Sequence, residues 1–158
     1  MEDNMELEVV PKQGKILDFS QGFKRNSKSN VEIFSNITDD KKLFNLESKV
    51  DNLLNKCVGE KIRVKEVLIK RWIKPLENPV IDEETGEIIK DFETSISCIL
   101  VDEAGKSYAT GSKTFTYDLM RYLGDYGGAG KLEKGIEIEI IKKPVPNSSF
   151  EALGFELL

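Results

Sequence analysis

Lys61-Ile-Arg-Val-Lys-Glu-Val-Leu-Ile-Lys-Arg-Trp-Ile73 is the stretch on which the reading of this chain turns. It is the longest strand signal in the sequence, and its apolar phase shifts midway. Ile62 and Val64 share one parity, whereas Val67, Ile69 and Ile73 share the other. A strand with a side-chain period of two keeps one face buried across such a shift only if it carries a bulge. The pattern therefore predicts a bulge near Lys65-Glu66 and a bend in the strand. A long, bent first strand is what a small barrel needs to turn a corner.

The elements around it continue the β pattern. Upstream, Val31-Glu-Ile-Phe-Ser35 reads as a strand and Lys42-Leu-Phe-Asn-Leu46 as a second, short one, with Phe44 expected in the core. Between Ser48 and Lys56 the apolar spacing fits a helical segment or a covering loop. Downstream, Asp82-Glu-Glu-Thr-Gly-Glu87 is a hairpin tip between Val80-Ile81 and Ile88-Ile89, with Gly86 free to take positive φ. Thr94 to Asp102 is a further strand, Glu103-Ala-Gly-Lys106 a turn and Ser107-Tyr-Ala-Thr110 a returning strand. Ser112 is placed to cap a helix over Lys113 to Leu123, with Phe115, Leu119, Tyr122 and Leu123 on one stripe. Ile136-Glu-Ile-Glu-Ile140 alternates strictly, and Phe150 to Leu158 supplies a last strand. Strands, one short helix, then two strands fit a mainly β, five-stranded Greek-key barrel of the OB type. Residues 1–30, rich in Lys, Ser, Asn, Gln and Gly, read as a flexible N-terminal arm, leaving 31–158 as the domain.

Composition narrows the chemistry. The chain has 158 residues, 39% hydrophobic and 32% charged, which suits one globular domain. It contains no histidine, which removes the commonest general base and zinc ligand and the Ser-His and Cys-His nucleophile systems. No Walker loop, GxGxxG stretch or paired-carboxylate motif is present, so a binding protein without metal or cofactor is expected rather than an enzyme. Cys57 and Cys98 are far apart and read as buried apolar residues in a reducing cytoplasm. Met1-Glu-Asp-Asn-Met-Glu lacks the basic start and apolar run of a secretory signal, and no apolar run approaches the roughly 20 residues that span a bilayer.

Net charge is −5, yet the cations cluster. Lys61, Arg63, Lys65, Lys70, Arg71 and Lys74 face a single acid, Glu66, within their stretch. With a bulge, Arg63, Lys65, Lys70 and Trp72 share the face away from the core. Lys106 stands two residues from Tyr108, and Tyr117 follows on the helix. Cations that follow phosphates beside rings that stack on bases are the ingredients of single-strand binding. Many acids fall elsewhere, at Asp82, Glu83, Glu84, Glu87, Glu137 and Glu139.

These features resemble the single-stranded DNA-binding proteins of small protein-primed tailed phages of Gram-positive hosts. The likeness runs from Val31 to the end of the chain. It rests on Val31-Glu-Ile-Phe34, the ring at Trp72, Asp102-Glu-Ala-Gly-Lys-Ser-Tyr108, Gly111-Ser-Lys-Thr114 and Leu153-Gly-Phe-Glu-Leu157. It implies an OB fold and nominates Trp72 and Tyr108 as DNA-stacking rings. It further implies a cytoplasmic, monomeric or homodimeric protein that coats single-stranded DNA during phage or plasmid replication, alongside replication proteins. The arm, the enlarged hairpin and a tryptophan in place of an expected tyrosine depart from that pattern. The alternative expectation is a small phage protein–protein interaction module that inhibits or recruits a host factor, using the same strands as an edge and the arm as a docking peptide.

Overall fold

The computed structural model describes residues 31–158 and, before them, only the backbone of Arg25–Asn26. The rest of the expected arm over 1–30 lies outside the described residues. In chain order the elements are β1 (Arg25–Asn26), β2 (Val31–Ser35), α1 (Asp40–Ser48), β3 (Asn52–Leu53), β4 (Lys61–Ile81), β5 (Ile88–Asp102), β6 (Ser107–Thr110), α2 (Lys113–Asp125), β7 (Ile136–Pro144) and β8 (Glu151–Leu157).

The predicted bulge is present in β4. Val64 stands opposite Asp102 and Glu66 opposite Val101, so the ladder with β5 slips by one residue at Lys65. Ile62 and Val64 before the slip and Val67 and Ile69 after it are all buried, so one apolar face survives the change of parity. The opposite edge of β4 is shared: Lys61–Val64 pair with β7 and Leu68–Trp72 with β2.

The sheet is mixed and open. Its path runs β1-β2-β4-β5-β6-β3, with β7 branching from β4 and carrying β8. β3 and β6 pair in parallel and the other neighbours are antiparallel. The five-stranded barrel of the sequence reading is thus replaced by an open sheet with more strands. Phe34, Val67, Ile69, Cys98, Leu100, Ile138 and Ile140 line its inner face, and Phe115, Leu119 and Leu123 of α2 pack onto them. Burying each such large side chain contributes about 1.5–3 kcal/mol. Ser112 caps α2 as predicted, its Oγ accepting the Phe115 N–H at 3.2 Å.

There are two helices among the described residues, not one. Lys42–Leu46, expected as a strand, lies inside α1. Asp39 caps that helix by accepting the Lys41 N–H at 2.9 Å, and Leu43 packs with Ile37, Leu68 and Ile99 on the outer face of the sheet. Phe44, expected in the core, is 69% exposed, because a residue next to Leu43 on a helix points away from it. Asn52–Leu53 and a 3-10 turn over Leu54–Lys56 occupy the segment where a helix or loop was open.

The outer ends of β4 and β5 project as one hairpin. Ile81 pairs with Ile88, and Gly86 takes φ 76° at the tip. Val80, Ile81, Ile88, Ile89 and Phe92 all lie exposed there.

Candidate nucleic-acid interface

The two faces of β4 sort the expected site residues. Beyond the bulge, even positions point outward with Leu68 and odd positions point inward with Ile69. Lys70 and Trp72 therefore share the outer face, opposite Ser97 and Ser95 of β5 and Ile33 and Val31 of β2. Their neighbours on β5 are small, which leaves the indole only partly covered. The Lys70 ammonium lies 5.4 Å from the Trp72 ring centroid, within cation–π range, and 2.8 Å from a Glu47 carboxylate oxygen of α1. Lys74 follows on the same parity, exposed, opposite Glu93.

Arg71 points inward instead. Its guanidinium pairs with the nearly buried Glu32 carboxylate at 2.6 Å and hydrogen-bonds Tyr117 of α2. Burial opposes that charge, but these two partners outweigh it and the guanidinium pKa is raised. Tyr117 is 38% exposed and lies on this inner side, so it does not join Trp72.

The start of β4 is a separate region. Arg63 donates to the Lys134 carbonyl at 2.7 Å and pairs with Glu137 at 3.2 Å and Glu103 at 3.4 Å. Its stem lies across Gly135, where φ is 98° and a Cβ would stand 2.7 Å from the Arg63 Nε. Lys65 donates to the Glu133 carbonyl at 2.6 Å. Lys61 is exposed beside Glu139 of β7. Lys61 and Trp72 are separated by on the order of 35 Å of extended strand at about 3.3 Å per residue. The expected basic row is therefore two regions, laced with carboxylates from distant parts of the chain. The segregation of charge expected from the sequence does not hold along β4.

Tyr108 departs most from expectation. It is 6% exposed and belongs to the main core. Its register partner on β5 is Leu100, which is wholly buried. The phenol donates to Asp102 Oδ2 at 2.9 Å, and its pKa is raised, chiefly by burial and then by that carboxylate. A ring so placed cannot stack on a base. Lys106 is exposed in the turn, where its N–H donates to Asp102 Oδ1.

Glu32 and Glu47, the partners that restrain Arg71 and Lys70, were not singled out in the sequence, since nothing local links them to β4. A further grouping of rings and cations, Arg121, Tyr122, Tyr126, Lys143 and Phe155, was also missed. The spacing of four between Asp118, Tyr122 and Tyr126 was the available signal, because it puts them on one helix stripe.

Cys57 and Cys98 are buried, and burial pushes the Cys98 thiol up to about 12, so it is inert near neutral pH. Among the described residues no group of three His, Cys, Asp or Glu could hold a metal ion. Likewise, no described helix is long and apolar enough to cross a membrane. Comparison with protein-family models, with curated proteins and with solved structures gave no match for this chain.

Proposed function

We propose that this protein binds single-stranded DNA without sequence preference and coats it during phage or plasmid replication. The carrying observation is Trp72, a partly exposed indole on the outer face of a long bulged strand with the Lys70 ammonium 5.4 Å from its centroid. Trp72 stacks on a base and Lys70 and Lys74 meet the flanking phosphates. Lys61, exposed in the separate region at the start of β4, is outside this contact. The connectivity supports an OB-type reading of the fold. β4, β5 and β6 form a meander, α2 follows, and β7 returns to pair with β4, which is the return step of a Greek key. Tyr108 has no part in this interface.

Trp72 is the sole tryptophan, so its emission reports the site directly. An oligo-dT titrated at low salt is expected to quench it, and added salt to reverse the quenching as counterions compete. Unchanged emission with every single-stranded oligonucleotide, DNA or RNA, overturns the proposal.

A second reading, a protein-interaction module, draws on the projecting hairpin, whose apolar Val80, Ile81, Ile88, Ile89 and Phe92 are exposed. It is favoured if the protein captures a partner without nucleic acid and Ile88→Ser with Ile89→Ser abolishes capture while leaving Trp72 quenching intact.

A further inference from the structure

We propose that the groove between α2 and the β7–β8 pair is a second binding site, which takes a nucleobase joined to a phosphate. It shares no residue with the β4 interface, so it stands whether or not Trp72 binds DNA.

The groove is a cavity of about 320 Å³ lined by Asp118, Arg121, Tyr122, Tyr126, Lys143 and Phe155, with Leu157 at its edge. Three of these are rings. Phe155 forms a fixed wall, held edge-to-face against the buried Phe115 with centroids 5.2 Å apart. Tyr122 packs against the backbone of Gly128, where a Cβ would collide with the ring. Tyr126 closes the end of α2, is 68% exposed, and its hydroxyl has no partner among the described residues. A ring left that exposed at the mouth of the cavity is available to stack on a planar group.

The polar groups are arranged rather than scattered. Asp118 holds Arg121 at 3.4 Å through one oxygen and Lys143 at 3.1 Å through the other. Gly154 makes this possible on β8, since a Cβ there would collide with the Lys143 stem that crosses it. Two cations share one carboxylate, so the rim keeps a net positive charge. Both cations are oriented, and both keep N–H donors for an anion. Rings for a flat apolar face and oriented cations for a phosphate are the two halves of nucleotide recognition. A free nucleotide and one unit of a DNA strand present this same chemistry.

The test is photo-crosslinking of the full chain with two probes, 5-iododeoxyuridine monophosphate and a dT oligonucleotide carrying a single 5-iododeoxyuridine. Adducts on Tyr122, Tyr126 or Phe155 are expected. From the free nucleotide they assign the groove to nucleotides, and from the oligonucleotide alone to a strand. Tyr126→Ala and Arg121→Ala are each expected to cut the yield roughly tenfold, the first as one stacked base and the second as one charge-assisted contact to phosphate. Both positions are exposed, and unchanged Trp72 emission of the variants without ligand verifies that they fold. No adduct in these peptides from either probe overturns the proposal, as does an adduct that both variants leave undiminished. Trp72 quenching by oligo-dT is a separate readout, so loss of one reading does not carry the other with it.

Discussion

Trp72 and Tyr108 carry the same local signature, a ring two residues after a lysine on a β-strand, and the fold treats them in opposite ways. Trp72 is flanked across the ladders by Ser95 and Val31 on the outer face of the sheet, where α1 covers Leu68 but leaves the indole partly open. Tyr108 stands opposite the buried Leu100 on the inner face, within the main core, and its hydroxyl is taken by Asp102. The difference lies in which face of the sheet receives the main core. A ring beside a cation is thus an ambiguous motif until the strand's inward parity is known.

The comparison predicts a sharp reversal of phenotypes. Tyr108→Ala is expected to destabilise the protein by about 3–5 kcal/mol, as large-to-small changes of core rings do. Trp72→Ala is expected to cost less stability, about 1–2 kcal/mol for a ring that is only partly covered, while weakening oligo-dT binding roughly tenfold or more. Urea unfolding measures the first quantity, and filter binding or anisotropy with labelled oligo-dT the second. If Tyr108→Ala unfolds at the same urea concentration as the parent yet loses DNA binding, the two rings have been assigned the wrong way round.

Tyr108→Phe tests the same ring more gently. It keeps the core volume and removes only the donor to Asp102 Oδ2, whose partner oxygen still accepts the Ala104 and Lys106 N–H groups at 2.9 Å. A loss of about 1–2 kcal/mol is expected near neutral pH. The pH dependence has a definite sign. Burial and Asp102 raise the folded phenol's pKa above its ordinary 10.0, so the fold favours the neutral ring. That contribution is complete below about pH 10, where the unfolded phenol is neutral too, and is lost as pH rises towards the folded value. The stability gap between parent and Tyr108→Phe should therefore narrow in alkaline urea titrations. A gap that stays constant or widens above pH 10 contradicts the buried, Asp102-bound phenol.

How far the sequence could be read follows from how locally each feature is encoded. The bulge in β4 was legible because the change of parity between Val64 and Val67 is written in the strand itself. α2 was legible because Ser112 and the stripe Phe115, Leu119, Leu123 lie within one short window. α1 was not, since Lys42–Leu46 is too short to separate a period of two from 3.6, and its packing partners Leu68 and Ile99 come from elsewhere. Tyr108 failed for a related reason. Ser107-Tyr-Ala-Thr110 has no polar–apolar alternation to mark the inner face, and only pairing with Leu100 decides it. The open sheet followed from β2 and β3, whose pairings with β4 and β6 bring in chain ahead of the five expected strands. The carboxylates that occupy the basic row come from positions 32, 47, 103 and 137, and no local pattern couples those to β4.

Those carboxylates give the finest way to sharpen the contrast around Trp72. Glu47 holds the Lys70 ammonium at 2.8 Å and competes with any phosphate for it. Both side chains retain some exposure, so the pair contributes little to stability, about 0.2–1 kcal/mol. Glu47→Gln should accordingly leave unfolding almost unchanged. Its effect on DNA should be larger, because Lys70 then enters binding without breaking an ion pair, and the charge that repels phosphate is gone. Affinity for oligo-dT is expected to rise a few-fold at low salt. The slope of log K against log salt should also steepen by up to about 0.7, the amount for one additional phosphate contact on a single strand. Glu32→Gln is the control for the other face of β4: it costs stability, because it removes the anionic partner of the part-buried Arg71, and it should leave the slope as it was. If both variants steepen the slope equally, the strand does not follow the outer face, and the contrast between the two sides of β4 has no bearing on where DNA runs.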